Sequence, residues 1–300
     1  MIPPYLQKGD TIGITAPAHK ISGEDVEPAV NFLEKNGFKV KLADHLFASH
    51  HQYAGTDIER TEDFQAMIDD PAVKAILCAR GGYGSVRIID RLDFSGFKSR
   101  PKWICGYSDV TVFHSHIYRN YGISTLHCTM PVNFKTGCSV EENAGSMIEA
   151  LMGKTLVYHT GPHSFNIKGT AEGKLIGGNL SILYSLLGSS SDIDTDNCIL
   201  FLEDLDEYLY HIDRMMMNMK RTGKLDKLAG LVIGGMSQMH DNKIPYGSNA
   251  EEIITQYCSE SDIPVCFGFP SGHESRNLAL RLGQKAVLTV NETGELLMES

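Results

Sequence analysis

The segment Val73-Lys-Ala-Ile-Leu-Cys-Ala-Arg-Gly-Gly-Tyr-Gly84 decides the fold of this sequence, because an apolar run passes directly into a glycine-rich loop. The apolar run predicts a buried strand over 73–79, and the residues after the loop predict a helix to about Arg91. The same order returns in Lys102-Trp-Ile-Cys105, a predicted strand, and in Gly106-Tyr-Ser-Asp109, after which a helix is expected to about Tyr118. Strand, loop and helix in repeated succession are typical of a parallel α/β sheet.

The alternation extends outward to the start of the chain. Thr11-Ile-Gly-Ile-Thr15 predicts a strand, and apolar residues at helical spacing predict a helix over 24–36 that ends at Gly37. A strand over 38–43 and a helix over 57–68 follow. We therefore expect a doubly wound, mostly parallel sheet whose loops at the strand carboxyl ends form the binding crevice.

The sequence pattern changes in the second half of the chain. Short strands predicted at 155–158 and 164–168 indicate the crossing between two domains. Further strands are expected at 198–202, 230–233, 264–269 and 285–290, and helices near 179–187, 210–222 and 249–259. We predict a flavodoxin- or amidotransferase-like N-terminal domain over 1–155 and a smaller C-terminal α/β domain over 170–300.

Composition and charge exclude several classes of protein. With 42% hydrophobic and 21% charged residues, the 300-residue chain is neither disordered nor a coiled coil. A net charge of -10 without a basic cluster argues against nucleic acid and anionic membrane as partners. The N-terminal residues lack the pattern of a secretory signal, and no stretch approaches 18 apolar residues, so we expect a cytoplasmic location.

Cysteine and methionine are interpreted as packing residues. The seven cysteines are scattered and form no C-x-x-C pair, so we expect small buried hydrophobic side chains rather than disulfides or zinc ligands. The segment Met215-Met-Met-Asn-Met219 is expected to pack between domains or subunits, since methionine fills irregular apolar gaps.

Gly106-Tyr-Ser-Asp109 lies between a predicted strand and a predicted helix, which is the context of a nucleophile elbow. Such a turn raises the Ser108 hydroxyl above the sheet, and glycine two residues earlier relieves crowding. The backbone N–H of Asp109 would be an oxyanion donor, because it belongs to the first turn of the helix. Val110 stands where a second glycine is usual, and an ordinary helix N-cap is the alternative interpretation.

Arg80-Gly-Gly-Tyr-Gly84 follows a strand at the same edge of the sheet, and its glycines allow close approach of a ligand to the backbone. A phosphate loop is disfavoured, because no G-K-[ST] follows and Arg87 occupies the place of a third glycine. A second oxyanion donor, the N–H of Gly82, suits the segment better. A simple tight turn is the remaining alternative.

Two further segments carry titratable groups at predicted strand ends. Glu203-Asp-Leu-Asp-Glu207 could bind a metal or orient a base, although a solvated loop before the next helix is the simpler interpretation. His273 follows a strand and Ser271-Gly272, where it could be a base or a hydrogen-bonded structural histidine.

Taken in chain order, these segments resemble the LD-carboxypeptidase family, the muramoyltetrapeptide carboxypeptidases. An ordered set of matches is far more specific than any single motif. The matching segments are Leu6 to Pro17, Ala79 to Gly84, Gly106 to Asp109, Gly177 to Leu180, Leu202 to Asp204, His211 to Arg214 and Ser271 to His273.

The resemblance implies a serine peptidase with a Ser-Glu-His triad. It assigns the nucleophile to Ser108, the acid to Glu203, the base to His273, and the oxyanion hole to the backbone amides of Gly82 and Asp109. It further implies release of the terminal D-alanine from murein tetrapeptides during peptidoglycan recycling, in a cytoplasmic homodimer. No metal or organic cofactor is required.

Recognition of the substrate's terminal carboxylate is left open by these motifs. Arg80 is a candidate by position, although its guanidinium could equally anchor its own loop. Two departures from the family pattern leave the shape of the pocket undecided: Ala18-His19 stands where serine is common, and Arg281 replaces a frequent proline.

Three alternatives to an LD-carboxypeptidase have less support in the sequence. Peptidases of the microcin-immunity type cleave peptidyl or aminoacyl nucleotides, but they carry a longer segment between nucleophile and acid and an aromatic platform, whereas Trp103, the sole tryptophan, precedes the elbow. A non-catalytic small-ligand-binding protein of the periplasmic type would need a signal peptide. A glutamine amidotransferase-like enzyme would need cysteine in place of Ser108.

Overall fold

In the computed structural model, which describes residues 1–135, 140–259 and 261–299, the strands form two sheets. The strands are β1 (Thr11–Thr15), β2 (Lys39–Leu42), β3 (Val73–Cys78), β4 (Trp103–Gly106), β5 (Thr125–His127), β6 (Leu156–His159), β7 (Gly169–Asn179), β8 (Cys198–Leu205), β9 (Gly230–Ser237), β10 (Val265–Cys266), β11 (Leu280–Leu282), β12 (Lys285–Val290) and β13 (Gly294–Met298). The helices are α1 (Gly23–Lys35), α2 (Asp57–Asp69), α3 (Ser85–Ile88), α4 (Thr111–Tyr121), α5 (Val140–Leu151), α6 (Leu180–Leu186), α7 (Leu209–Arg221) and α8 (Ala250–Cys258).

The first sheet has the strand order β2, β1, β3, β4, β5, β11. Its first five strands are parallel, and β11 closes one edge antiparallel to β5. This confirms the doubly wound, mostly parallel sheet predicted for the first half of the chain. Because the strand order reverses between β1 and β3, the loops after these two strands diverge and leave a crevice at their carboxyl ends.

The second sheet has the order β10, β9, β8, β7, β12, β13, β6. Strands β10 to β7 are parallel, whereas β7, β12, β13 and β6 pair antiparallel. The α/β class predicted for the C-terminal part is therefore confirmed. The limits of 1–155 and 170–300 stay a prediction, and the C-terminal part sends β11 back to the first sheet.

Local capping chemistry explains why several helices begin where the sequence predicted. In each capping box the first side chain accepts a hydrogen bond from the backbone three residues later, and the second side chain accepts from the first residue's backbone. The boxes are Ser22 with Asp25 before α1, Thr56 with Glu59 before α2, and Asn249 with Glu252 before α8.

Other elements differ from the sequence-based expectation. The predicted strand over 164–168 is wrong, since only Ile167 pairs there, in an isolated bridge with Val265. The predicted strand over 264–269 is shortened to β10, because the Asn166 side chain accepts the Phe267 N–H at 2.9 Å in place of a ladder carbonyl. Helix α5 and strands β5, β7, β11 and β13 were not predicted.

Strand β7 has no strand signal in the sequence, because glycine is rare in strands. Gly177 is required by close approach of the neighbouring strand, since a Cβ atom there would lie 1.9 Å from the carbonyl oxygen of Phe201. The glycine therefore lets β7 and β8 pack backbone to backbone beside the acidic residues that end β8.

Two hydrophobic cores support the sheets. The second core contains Met215, Met216 and Met219 from α7, so the expectation that the methionine segment packs between domains or subunits is wrong for these three. They fill the space under the second sheet because they share one face of the helix. The six described cysteines are buried, as predicted, and Cys138 lies outside the described residues. No α-helix in the described part of the chain has the length and apolarity needed to span a membrane.

Arg281, one of the two departures from the family pattern, has a structural role. Its fully buried guanidinium donates to the carbonyl oxygens of Ala150 (3.1 Å), Glu299 (3.1 Å) and Lys154, and so ties β11 to the end of α5 and to the C-terminal segment. It also lies over the Tyr5 ring at 5.2 Å.

We expect Arg281→Met to lower the free energy of unfolding by about 2–4 kcal/mol, because the buried guanidinium that donates to three backbone carbonyls is lost. Urea denaturation measures this loss. Arg276→Met is the matched control: its ion pair with Glu142 is half exposed, so a change below about 1 kcal/mol is expected. Equal stability of Arg281→Met and the unaltered protein would remove this role.

Candidate active site

Three loops of the first sheet meet at its carboxyl edge, and they follow β1, β3 and β4. The His19 N–H, after β1, donates to the Gly81 carbonyl, after β3, at 3.3 Å. Gly81 in turn lies against Ser108, after β4: a Cβ atom at Gly81 would be 2.9 Å from the serine Cβ and 3.0 Å from its Oγ. The crevice between β1 and β3 therefore contains the predicted nucleophile.

Ser108 has the backbone geometry of an elbow. It begins a short 3₁₀ turn over Ser108–Val110 with φ of 63°, a left-handed conformation that serine rarely adopts. Gly106 is needed two residues earlier, because a Cβ atom there would lie 2.9 Å from a methyl group of Val110. Such strain holds the half-buried hydroxyl at the sheet edge in one position.

The ordinary N-cap interpretation of this segment is wrong. No side chain caps the 3₁₀ turn or α4. The buried Asp109 carboxylate instead accepts the backbone N–H of Ser85 at 2.8 Å, and burial raises its pKa. Asp109 thus fixes the start of α3, directly after the glycine loop, to the elbow.

Arg60 holds the same loop from the other side. Its buried guanidinium donates to the carbonyl oxygen of Gly84 at 3.0 Å and to that of Pro17 after β1. The glycine loop is thereby bound to two neighbouring loops, and its backbone has a fixed direction. Arg60 and the side-chain role of Asp109 have no sequence signal, because both contacts join residues that are distant in the chain.

Gly82 is exposed, with φ of 111°. The hydrogen bonds between described residues include none donated by the Gly82 N–H. A free, fixed backbone N–H next to the elbow is what an oxyanion donor requires.

We expect Gly81→Ala to lower kcat about 100-fold or more, because the added methyl group pushes against Ser108 and displaces the adjoining Gly82 amide. Steady-state kinetics checks this result. Gly145→Ala is the matched control: it lies in α5 with open space around it, so activity should be unchanged and stability equal or higher. Full activity in Gly81→Ala would contradict the close packing of loop and nucleophile.

Glu203 and His273 form a direct pair beside the elbow. Glu203 is fully buried in β8, and its Oε2 lies 2.7 Å from Nδ1 of His273. Burial opposes the protonated imidazole, but the hydrogen bond and charge of Glu203 outweigh it and raise the pKa of His273. The arrangement holds the imidazole with Nδ1 protonated and Nε2 available as a base.

The expectation of a solvated acidic loop is wrong for the first two residues of the 203–207 cluster, which are buried in β8. Successive residues of a strand point to opposite faces, so Glu203 faces His273 and Asp204 faces Asn179 and Ser181. Asp204 accepts from the Asn179 amide (2.9 Å) and the Ser181 N–H (2.8 Å). Burial, together with the charge of Glu203, raises the pKa of Asp204 to about 7.

The other two acidic residues of the cluster contact histidines other than His273. Asp206 contacts His240, and Glu207 lies 2.5 Å from His211 on the next helical turn. Over 1–135, 140–259 and 261–299, no three His, Cys, Asp or Glu side chains are gathered in the way a metal ion needs.

A buried polar network positions the loop that carries His273. The Asn277 amide oxygen accepts the Gly272 N–H (3.0 Å) and the Ser271 hydroxyl (3.1 Å). It also lies 3.2 Å from Nε2 of His127, whose pKa burial lowers to about 3. Since His127 ends β5, the network connects the first sheet to the histidine loop. Asn277 and His127 had no sequence signal.

Ser108, the predicted nucleophile, and the Glu203–His273 pair are connected through Tyr107. The ring of Tyr107, the residue before Ser108, packs 4.8 Å from the His273 ring. Among the described hydrogen bonds none joins the Ser108 hydroxyl to His273, and such contacts are commonly long in the absence of substrate. The Arg80 guanidinium lies at the exposed side of the glycine loop, where it donates to the Lys20 carbonyl at 3.4 Å.

Known proteins share this architecture. Residues 12–128 match the family described as the LD-carboxypeptidase N-terminal domain, and residues 172–288 match the LD-carboxypeptidase C-terminal domain. The chain is 37% identical to a probable murein peptide carboxypeptidase of Bacillus subtilis, over 97% of this chain and 92% of the relative. A crystal structure of muramoyltetrapeptide carboxypeptidase from Oxalobacter formigenes superimposes with a TM-score of 0.88 at 27% identity, covering 97% and 99% of the two chains. The microcin C7 self-immunity protein MccF of Escherichia coli is 27% identical, over 94% of this chain and 91% of its own length.

Proposed function

Since the chain belongs to the LD-carboxypeptidase family of serine peptidases, we propose that it releases the terminal D-alanine from murein tetrapeptides. Its reaction is hydrolysis of the peptide bond between the third residue and D-alanine. The supporting observation is the pair of fully buried Glu203 and partly buried His273 at 2.7 Å, which packs through Tyr107 against the elbow that carries Ser108.

In the proposed cycle, His273 takes the proton of Ser108 as the serine oxygen attacks the carbonyl carbon before D-alanine. Glu203 keeps Nδ1 protonated and stabilises the imidazolium. The N–H groups of Gly82 and Asp109 hold the oxyanion. His273 then gives the proton to the departing amine, and water hydrolyses the acyl-enzyme with the roles of the imidazole reversed.

The test is incubation of purified protein with a murein tetrapeptide, with D-alanine followed by mass spectrometry. Release by the unaltered protein and loss of release in Ser108→Ala support the proposal. Absence of release would overturn the function, and release that persists in Ser108→Ala would overturn the nucleophile.

A peptidase that cleaves aminoacyl nucleotides is the second candidate, because the E. coli microcin C7 self-immunity protein is similar over most of both chains. Incubation with aspartyl sulfamoyl adenosine, followed by chromatography, distinguishes the two. Release of aspartate without release of D-alanine from the tetrapeptide would favour the second candidate.

We also propose a cytoplasmic homodimer that acts in peptidoglycan recycling. The names of the relatives concern murein peptides, which supports a substrate derived from the cell wall. Light scattering on the eluting chromatography peak tests the dimer, and a single-chain mass would overturn it.

A further inference from the structure

His19, the other departure from the family pattern, lies beside the glycine loop. A Cβ atom at Gly82 would be 2.5 Å from both Cγ and Nδ1 of the His19 ring, so the imidazole covers this glycine. Gly81, the neighbouring residue, contacts Ser108 in the same way. The ring is therefore separated from the nucleophile by the width of one glycine backbone.

Arg80 gives this side of the loop a positive charge. Its side chain is exposed, and the charge of Arg80 is felt at His19, where burial and then the arginine lower the pKa of the imidazole. Although acidic residues outnumber basic ones in this chain, 37 against 27, no described carboxylate forms an ion pair with Arg80 or His19.

The chemistry of a carboxypeptidase limits where a terminal carboxylate can lie. Three covalent bonds separate the reacting carbonyl carbon from the carboxylate carbon of the last residue, which is a distance of about 4 Å. The loops that contact Ser108 therefore supply the candidate groups for that point. On these loops, Asp109 is turned inward to Ser85, and Tyr107 covers His273. His19 and Arg80 face the open side.

We propose that His19 and Arg80 bind the free C-terminal carboxylate of the peptide, so that this chain selects peptides ending in a carboxylate. Arg80 supplies the charge, and a ring N–H of His19 supplies a directed hydrogen bond. The inference rests on the proposed function, because it places the scissile carbonyl at Ser108.

The test compares a murein tetrapeptide ending in D-alanine with the same peptide ending in D-alaninamide. In kinetics, the unaltered protein should prefer the acid, and His19→Ala and Arg80→Gln should each reduce the acid-to-amide ratio of kcat/KM about 10- to 100-fold. The loss should come from KM for the acid, with little change for the amide. His19→Gln, which keeps an N–H donor, should retain part of the preference. His159→Ala, at an exposed edge of the second sheet, is the matched control.

Calorimetry on the Ser108→Ala protein separates this inference from the proposed function. Tighter binding of the acid than of the amide, lost when His19→Ala is added, supports the inference whether or not hydrolysis is observed. An acid-to-amide ratio in His19→Ala within twofold of the unaltered protein overturns the inference while D-alanine release still stands. Failure to bind or cleave either peptide overturns both.

Discussion

Replacing Ser108 or His273 by alanine is expected to lower kcat for D-alanine release by about 10⁴- to 10⁶-fold. Ser108 has a left-handed backbone conformation at the sheet edge, and the His273 imidazole is held by Glu203 of β8 and by the Asn277 network. Without the serine no acyl-enzyme forms, and without the histidine the hydroxyl keeps its proton.

The double variant sharpens this prediction. Because nucleophile and base act as one unit, Ser108→Ala with His273→Ala should be about as slow as either single variant. Single-turnover rates measured by mass spectrometry, together with thermal unfolding to show that the fold is retained, provide the comparison. Losses that multiply in the double variant would show that the two residues act independently.

Replacing Glu203 by glutamine is expected to lower kcat by about 10⁴-fold, although the shapes of the two side chains are nearly the same. The amide no longer accepts with a full charge, and its N–H₂ group competes for Nδ1, so the imidazole is held in the wrong tautomer. Glu203 is fully buried, and water therefore cannot replace the lost interaction.

The pH dependence separates this role from a structural one. His273 must be neutral to act as the base, and Glu203 raises its pKa, so kcat/KM should rise with pH through that raised value. In Glu203→Gln the charge is absent, and the acid limb of the residual activity should move to lower pH. A loss of activity with an unmoved acid limb would show that Glu203 acts on something other than the imidazole.

Glu295→Gln is the matched control for this variant. Glu295 also faces a histidine, His159, but at 3.5 Å and with both side chains largely exposed at the edge of the second sheet. Its removal should leave kcat and the pH profile unchanged, because solvent screens such a pair. A similar loss in both variants would indicate a general effect of charge.

Much of the first sheet could be predicted because its signals are local. An apolar strand, a glycine turn and a capped helix each depend on neighbours within a few residues, as at Val73–Cys78 and at the capping box of Thr56. The elbow at Ser108 belongs to the same kind of signal. Strand β7 could not be predicted, because the need for glycine at 177 comes from the Phe201 carbonyl of another strand.

The contacts of the candidate site could be predicted less well from neighbouring residues in the sequence. Carboxylates are usually exposed, so local pattern alone favours a solvated loop for the acidic cluster. The resemblance implies a role for Glu203, and the structure shows its contact with His273. The Asp109 contact with Ser85 and the His127 contact with Asn277 likewise join distant segments. No periodic pattern in the sequence predicts which partners such side chains contact.

The sequence by itself determined the doubly wound sheet, the elbow at Ser108 and, through the order of its motifs, the family. These follow from backbone preferences and apolar periodicity, which neighbouring residues impose on one another. Only the tertiary structure decided which groups meet. It buried Glu203 against His273, turned the Asp109 carboxylate away from the expected helix cap, and set His19 on Gly82. The energies of those contacts depend on burial and on distance across the crevice, and both arise only when separate strands are assembled into one sheet edge.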